Sequence, residues 1–258
     1  MPNYDFRTPR LFVDHPLASG HGVPLLPPQS HYLVDVLRMK AGDGVLSFNG
    51  RDGEWRCVLA QLSKKLWGLE VNEQSRAQTL PADLHYLFAP LKRARLDYMV
   101  QKAVEMGVSL LAPVITRHTQ AERVKFERIR ANVIEAAEQC GVLALPDVAE
   151  PVAFERAIAA LDPERLLVFC DETADGGNPV AILTAQGLRG VAATAADARQ
   201  PRLAVVVGPE GGFSEGERDM LLARKNTVRI SLGPRILRAD TAAVAALTVV
   251  QAALGDWR

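Results

Sequence analysis

Leu203-Ala-Val-Val-Val207 is an unbroken apolar run that stops abruptly at Gly208-Pro-Glu-Gly-Gly212. A Val-rich run without polar alternation reads as a strand covered on both faces, the setting of a parallel sheet. Open parallel sheets hold their ligands just beyond the carboxyl ends of the strands. Three glycines at that point let backbone amides approach a small molecule with no Cβ in the way. Ser214 and Glu217 have capping-box spacing, so a helix is expected to start directly after the loop. Strand, glycine loop and capped helix together read as a ligand loop; the same residues also suit a tight turn between two core elements.

A second segment repeats the arrangement. Val228-Arg-Ile-Ser-Leu232 is a short strand that enters Gly233-Pro234, and a helix is expected from about Thr241 to Leu254, with Asp240 as its N-cap. That helix is Ala-rich and apolar almost all round, which predicts burial. Arg235 and Arg238 sit in the loop between these core elements, either as ligand-facing cations or as a solvated pair. Missing motifs narrow the ligand. No Gly-x-x-x-x-Gly-Lys-Ser/Thr is present, and no Gly-x-Gly-x-x-Gly follows a strand, so neither a P-loop nor an ordinary dinucleotide site is supported. The five histidines (His15, His21, His31, His85, His118) have no metal-ligand spacing.

From Leu84 onward, strands near 84–89, 108–115, 165–170, 203–207 and 228–232 alternate with helices near 95–106, 122–140, 153–161, 178–185, 215–224 and 241–254. Such alternation predicts an α/β fold with a mainly parallel sheet. Residues 1–72 instead carry short alternating segments, Gly44–Arg51 and Glu54–Leu59, with Asn49-Gly50 as a hairpin turn, and suggest small antiparallel strands. Glu73–Asp83 is polar, contains Pro81 and reads as a linker, which leaves 84–258 as the second domain. Ala192–Arg199 is Ala-rich and reads as a loop. A chain of 258 residues, 48% hydrophobic, can bury one sizeable core and a smaller one. Cys57, Cys140 and Cys170 are widely spaced in apolar contexts, which suits a reducing compartment. No charged-then-apolar leader and no 18-residue apolar span is found, so a soluble cytoplasmic protein that needs no membrane is expected. The 30 basic and 30 acidic residues cancel. Any nucleic-acid binding would therefore rest on local clusters: Arg7 with Arg10, Arg38 with Lys40, Lys64-Lys65, Lys92-Arg93 with Arg95, or Arg117-His118 to Arg123. Each of these also reads as a solvated face.

At its two glycine loops the chain resembles a known family. Gly208-Pro-Glu-Gly-Gly-Phe-Ser214 with Leu232-Gly-Pro-Arg-Ile-Leu-Arg-Ala-Asp-Thr-Ala242 looks like the signature of the knotted SPOUT methyltransferases. More narrowly it resembles the RsmE type, bacterial enzymes that methylate N3 of a uridine in 16S small-subunit ribosomal RNA. His31–Arg38 with Gly42-Asp43 resembles that family's N-terminal domain, and Gln101–Gly107 and Ala136–Gln139 resemble its central helices. Three positions depart from the pattern: Asp240 where Glu is common, Val142 where Arg usually follows, and Pro234 in the loop. The resemblance implies a trefoil-knotted C-terminal domain, a PUA-like N-terminal β-barrel that helps hold RNA, and a homodimer formed through the C-terminal domains. It implies S-adenosylmethionine as cofactor, held by Gly208, Pro209, Glu210, Gly211, Gly212, Leu232, Gly233, Arg235, Ile236, Leu237 and Thr241, and no metal. The RNA contacts it implies fall on Arg7, Arg10, His31, Arg38, Lys92 and Arg93.

Uridine N3 carries a proton and is a poor nucleophile until that proton leaves. A carboxylate, with Glu105, Glu138 and Glu210 as candidates, could accept it; alternatively an arginine, Arg238 being the choice here, could stabilise the developing anion. Arg238 and Glu105 are the catalytic residues expected. Because pairing hides N3, the target must be unpaired or flipped out. A knotted methyltransferase of transfer RNA or of a ribose 2′-hydroxyl, and a non-catalytic RNA-binding assembly factor, are the competing readings. Under the leading one, Gly211→Val is expected to abolish cofactor binding with little effect on the fold.

Overall fold

The computed structural model describes residues 5, 7–64, 66–120, 124–174, 176–193 and 201–257. The chain divides into two compact units, Met1–Leu80 with Ile134–Leu145, and Pro81–Val133 with Pro146–Arg258.

The first unit is built on strands β1 (Arg10–Phe12), β2 (Gly22–Pro24), β3 (Gly44–Phe48), β4 (Glu54–Gln61) and β5 (Trp67–Arg76). β3, β4 and β5 form an antiparallel meander, with β1 parallel to β3 and β2 antiparallel to β5. Period-two alternation aims Cys57 and Leu59 of β4 inward, where they meet Leu11, Val23, Leu33, Val45 and Leu69 in one core. The short helix α1 (Pro27–Ser30) runs into a π-helical segment, His31–Val36, that no periodicity announced. The expected Asn49-Gly50 turn is a longer loop, since Phe48 pairs with Glu54 and leaves 49–53 between them. Asn49 organises that loop by accepting the amides of Arg51 and Asp52 at 2.9 and 2.8 Å. Glu73–Arg76, read as linker, belong to β5, because Arg76 is drawn into the unit by a buried acid.

That acid is Glu54, only 5% exposed at its side chain. Its carboxylate meets Arg10 Nη2 at 2.6 Å and accepts Arg76 Nε and Nη2 at 2.9 and 2.7 Å. Arg10, expected to touch RNA, is thus a structural cation, also 5.6 Å above the Phe48 ring. Burial works to raise the Glu54 pKa, but the Arg76 hydrogen bonds, the Arg10 charge and the Ser75 hydroxyl outweigh it and hold it below the usual carboxylate value.

The second unit carries β6 (Leu84–Phe88), β7 (Leu110–Ile115), β8 (Asp147–Val148), β9 (Val152–Ala153), β10 (Leu166–Cys170), β11 (Leu203–Val207) and β12 (Thr227–Ile230). All its pairings are parallel, in the order β12-β10-β11-β6-β7-β8, with β9 beside β7. The five main strands lie where the apolar runs placed them; β8 and β9 span two residues each and leave no pattern to read. Every residue of β11 is buried, as an uninterrupted Val run requires. The helices are α2 (Arg93–Glu105), α3 (Phe126–Cys140), α4 (Phe154–Ala160), α5 (Pro179–Ala193), α6 (Glu215–Ala223) and α7 (Ala239–Ala253). The expected start of α3 at 122 falls outside the described residues. α5 runs eight residues past its expected end, to Ala193, through Gly187 and Gly190; the rest of the loop read over Ala192–Arg199 is outside the described residues. Phe154 and Ile158 of α4 and Leu221 of α6 pack with Leu167, Phe169, Ala204 and Val206 of the sheet. α2 and α5 pack on α7. Burial of α7 is one-sided rather than complete: Ala242, Ala243, Ala246, Leu247 and Val250 are buried, but Val244, Ala245, Thr248 and Val249 are half-exposed.

Glu54→Gln keeps the shape of the acid and removes the counter-charge of two enclosed guanidinium groups. Breaking such a pair from one side costs about 3 kcal/mol, which urea denaturation should register. The folded pKa of Glu54 lies below its unfolded value. Its contribution is therefore whole above the unfolded carboxylate range and disappears as pH falls through the folded value. The variant should lose that part of the acid dependence; an unchanged acid limb would show that Glu54 does not supply it.

Candidate functional site

β12, β10 and β11 are neighbours with their carboxyl ends level, since Phe169 pairs with Val206 and Cys170 with Ile230. Three loops therefore leave the sheet together: Asp171–Gly177, Gly208–Phe213 and Ser231–Leu237. Between them lies a cleft of about 710 Å³, closed on one side by Ala239 and Ala242 at the start of α7. That volume suits a compound of cofactor size.

Local sequence explains the loops. Gly212 and Gly233 have φ of +68° and +108°, the left-handed region that glycine enters without strain. Gly208 serves packing instead, because a Cβ there would lie 2.9 Å from the Phe213 ring. That ring sits 5.4 Å from Phe154 and 5.5 Å from Phe169, so the glycine lets the loop fold back onto the core. The capping box forms: Glu217 Oε2 accepts the Ser214 amide at 2.8 Å and its hydroxyl at 2.9 Å. Gly212-Phe-Ser-Glu-Gly216 happens to have the spacing of a hydrolase elbow, but its serine is consumed as this cap. The other Glu217 oxygen accepts the Arg117 amide at 2.8 Å, and His118 Nδ1 donates to Gly212 O at 3.1 Å.

Charge on the cleft wall is mostly paired. Asp171, with a side chain 1% exposed, binds Arg218 Nη1 and Arg229 Nε and accepts the Thr173 amide at 3.0 Å. Burial pushes against its charge, but the Arg218 bond, the Thr173 amide and the Arg229 bond win and lower its pKa. Arg218 Nη2 continues to Thr173 Oγ1 at 2.7 Å, and Glu210 pairs with Arg95 at 3.1 Å. Cys170, on the cleft floor, is pushed up to about 12 by burial, so it stays a neutral thiol at ordinary pH and is no nucleophile.

Of the residues expected at a cofactor, Gly208, Pro209, Glu210, Gly212, Leu232, Gly233, Arg235, Ile236 and Leu237 line this cleft. Gly211 does not. A Cβ there would meet His118 Cβ at 3.1 Å, so Gly211→Val would press on the His118 turn rather than fill the cleft. Ile236 reaches the rim but is 92% exposed, leaving the apolar wall to Leu232, Leu237 and Phe213. Thr241 is exposed in the first turn of α7, off the lining. Arg238, not Asp240, is the N-cap of α7: the helix starts with buried Ala239, and Asp240 complements the positive helix end. Arg238 is exposed beside the cleft without lining it. Glu105 is misplaced for catalysis. It ends α2 and pairs with Lys102 at 2.7 Å, while Gln251, at the far end of α7, donates to the next residue, Met106. From Ala239 to Gln251 a helix rises about 18 Å, so Glu105 belongs to the opposite edge of the sheet. Glu138 is occupied by the Phe12 amide at 2.8 Å in the first unit, where burial raises its pKa.

Among the expected RNA contacts, Arg7, His31, Arg38, Lys92 and Arg93 are exposed. His31 is paired with Asp35 at 2.8 Å, and Arg38 has a left-handed φ of +60°. Lys65 and Arg123 lie outside the described residues. The loop Asp171–Gly177 escaped the sequence reading. Its signal was there: a polar loop with two glycines directly after the β10 run, at the same carboxyl edge. No group of three His, Cys, Asp or Glu able to hold a metal occurs among the described residues, and none of their helices is long and apolar enough to cross a membrane.

Comparison with known proteins gives the class. Residues 78–251 match the RNA methyltransferase domain, and residues 27–66 match the RNA methyltransferase PUA domain. The chain belongs to the RNA methyltransferase family. Ribosomal RNA small subunit methyltransferase E of Rickettsia conorii is 30% identical over 94% of both chains. The protein of the same name from Synechocystis is 32% identical over 90% of this chain and 73% of its own length. A crystal structure of ribosomal RNA small subunit methyltransferase E from Neisseria gonorrhoeae, bound to S-adenosylmethionine, superposes with a TM-score of 0.78. It is 26% identical and covers 98% of this chain and 100% of its own. The methyltransferase domain therefore contains the three-loop cleft, and the small β unit contains the PUA match.

Asp171 is the pin of that cleft wall. Asp171→Asn should cost about 2 kcal/mol of stability, read by thermal unfolding, and should loosen the 171–177 loop. Amide exchange in that loop at the wild-type rate would remove Asp171 from this role.

Proposed function

We propose that this chain transfers a methyl group from S-adenosylmethionine to N3 of a specific uridine in 16S ribosomal RNA, on the small ribosomal subunit or its RNA. The observation that carries the reading is the convergence of both signature loops on one cleft at the carboxyl edge of a parallel sheet, in a member of the RNA methyltransferase family. The residues fit the cofactor: backbone edges freed by Gly212 and Gly233, apolar faces from Leu232, Leu237 and Phe213, and a cation at Arg235. When bound, S-adenosylmethionine supplies an electrophilic methyl on a sulfonium.

The chain contributes position and charge. The glycine loops hold the flat base and ribose, and Arg235 holds a carboxylate, for which its planar fork is matched. Arg238 stands at the first turn of α7 beside the cleft, where it stabilises negative charge on the uracil oxygens as the N3 proton leaves. Glu210 lines the cleft with one oxygen on Arg95, and its other oxygen takes that proton. Arg7, His31, Arg38, Lys92 and Arg93 supply exposed cations and hydrogen bonds for RNA. The knot, the homodimer through the second unit and the cytoplasmic location form part of this reading. The half-exposed apolar residues Val244 and Val249 of α7 support the dimer.

The test is methyl transfer from labelled cofactor to small ribosomal subunits that lack native modification, followed by nucleoside mass spectrometry. N3-methyluridine is expected; methyl on any other nucleoside would move the substrate assignment while leaving the cofactor. Arg238→Ala should lower kcat about 100-fold with cofactor affinity within two-fold. An equal loss in cofactor affinity would make Arg238 a binding residue instead.

A further inference from the structure

The charged groups at the cleft do not all cancel. Asp171 is held by Arg218 and Arg229, and one Glu210 oxygen pairs with Arg95. Both Nη atoms of Arg218 are committed, one to Asp171 and one to Thr173, and its ring-facing side lies 5.9 Å from Phe169. Two lining residues, Glu172 and Arg235, make no hydrogen bond or ion pair with other described residues. Glu172 is exposed, feels Arg218 only through space, and directs its carboxylate toward the glycine loop: Oε1 lies 3.5 Å from where a Cβ on Gly212 would be. Gly212 has none, so the carboxylate lies against bare backbone of the glycine loop. Among its described residues the cleft thus presents one uncommitted anion and one uncommitted cation, from two of its three loops.

We propose that Glu172 is the counter-charge for a cationic group of the methyl donor, in the cleft it lines with Arg235. The inference rests on the S-adenosylmethionine reading. That molecule has two cationic centres, the sulfonium and the α-ammonium, and one carboxylate. A carboxylate at the sulfonium would favour the charged donor over its neutral thioether product and so speed product exchange; one at the ammonium would hold both equally. Either way, the acid acts by charge, and the amide isostere should not replace it.

Calorimetric titration of wild type and Glu172→Gln with three ligands tests this. S-adenosylmethionine carries both cations, S-adenosylhomocysteine only the ammonium, and 5′-methylthioadenosine neither. Glu172 makes no internal bond among the described residues, so the variant should unfold at the wild-type temperature. S-adenosylmethionine should bind the variant about ten-fold more weakly, and 5′-methylthioadenosine should bind unchanged. Equal weakening of S-adenosylhomocysteine assigns the ammonium, and no weakening assigns the sulfonium; both support the proposal. Weakening of 5′-methylthioadenosine by the same factor, or no change for the donor, overturns it. If wild type binds none of the three, the cofactor reading falls and the proposal with it; normal wild-type binding isolates a failure to Glu172.

Discussion

The level carboxyl ends of β10, β11 and β12 are the constraint on which the site depends. Parallel pairing fixes Cys170, Val207 and Ile230 at one height, and three loops from distant parts of the sequence must then emerge side by side. The two edges of the sheet are treated differently. Near the amino edge, Arg165 donates to the carbonyls of Asp83 and Leu203, and Arg224 donates to those of Leu161, Asp162 and Arg165. These bonds close the backbone and stiffen it. At the carboxyl edge, glycines and prolines leave backbone open. One edge is spent on stability, the other kept for a ligand.

The first unit solves a different problem. A small sheet has little apolar area to bury, and its core is supplemented by a trio of charges, Arg10, Glu54 and Arg76, at nearly full enclosure. Such a cluster contributes less net free energy than apolar packing of equal size, yet it is intolerant of losing one member. It also explains why polar Glu73–Arg76 continue as strand: the last residue has a destination.

Much of the second unit was legible in its sequence. The Leu203–Val207 run and the Ser214–Glu217 cap have local physical causes, and both formed where those causes put them. Nine loop residues reached the cleft for the same reason. What stayed hidden depends on tertiary placement. The orientation of Gly211 toward His118 follows from how the β7 turn meets the glycine loop, which no spacing encodes. Arg10 resembles any surface arginine until its acid is found 44 residues away in sequence, and Glu105 lies on an expected helix whose direction across the sheet only the fold reveals. Strands of two residues, such as β8, carry too few side chains for a period.

Glu217 joins two loops that are about 100 residues apart in sequence, taking the Ser214 and Arg117 amides on its two oxygens. His118 and Gly212 add a second tie, and Gly211 is pressed close against the same histidine. The turn after β7 and the glycine loop therefore have a common length requirement. An inserted residue in either would break both ties at once, whereas the 171–177 loop, whose described side-chain ties fall on Asp171 and Thr173, has room to lengthen. Variation in chain length at this edge should be tolerated on one side of the cleft and refused on the other.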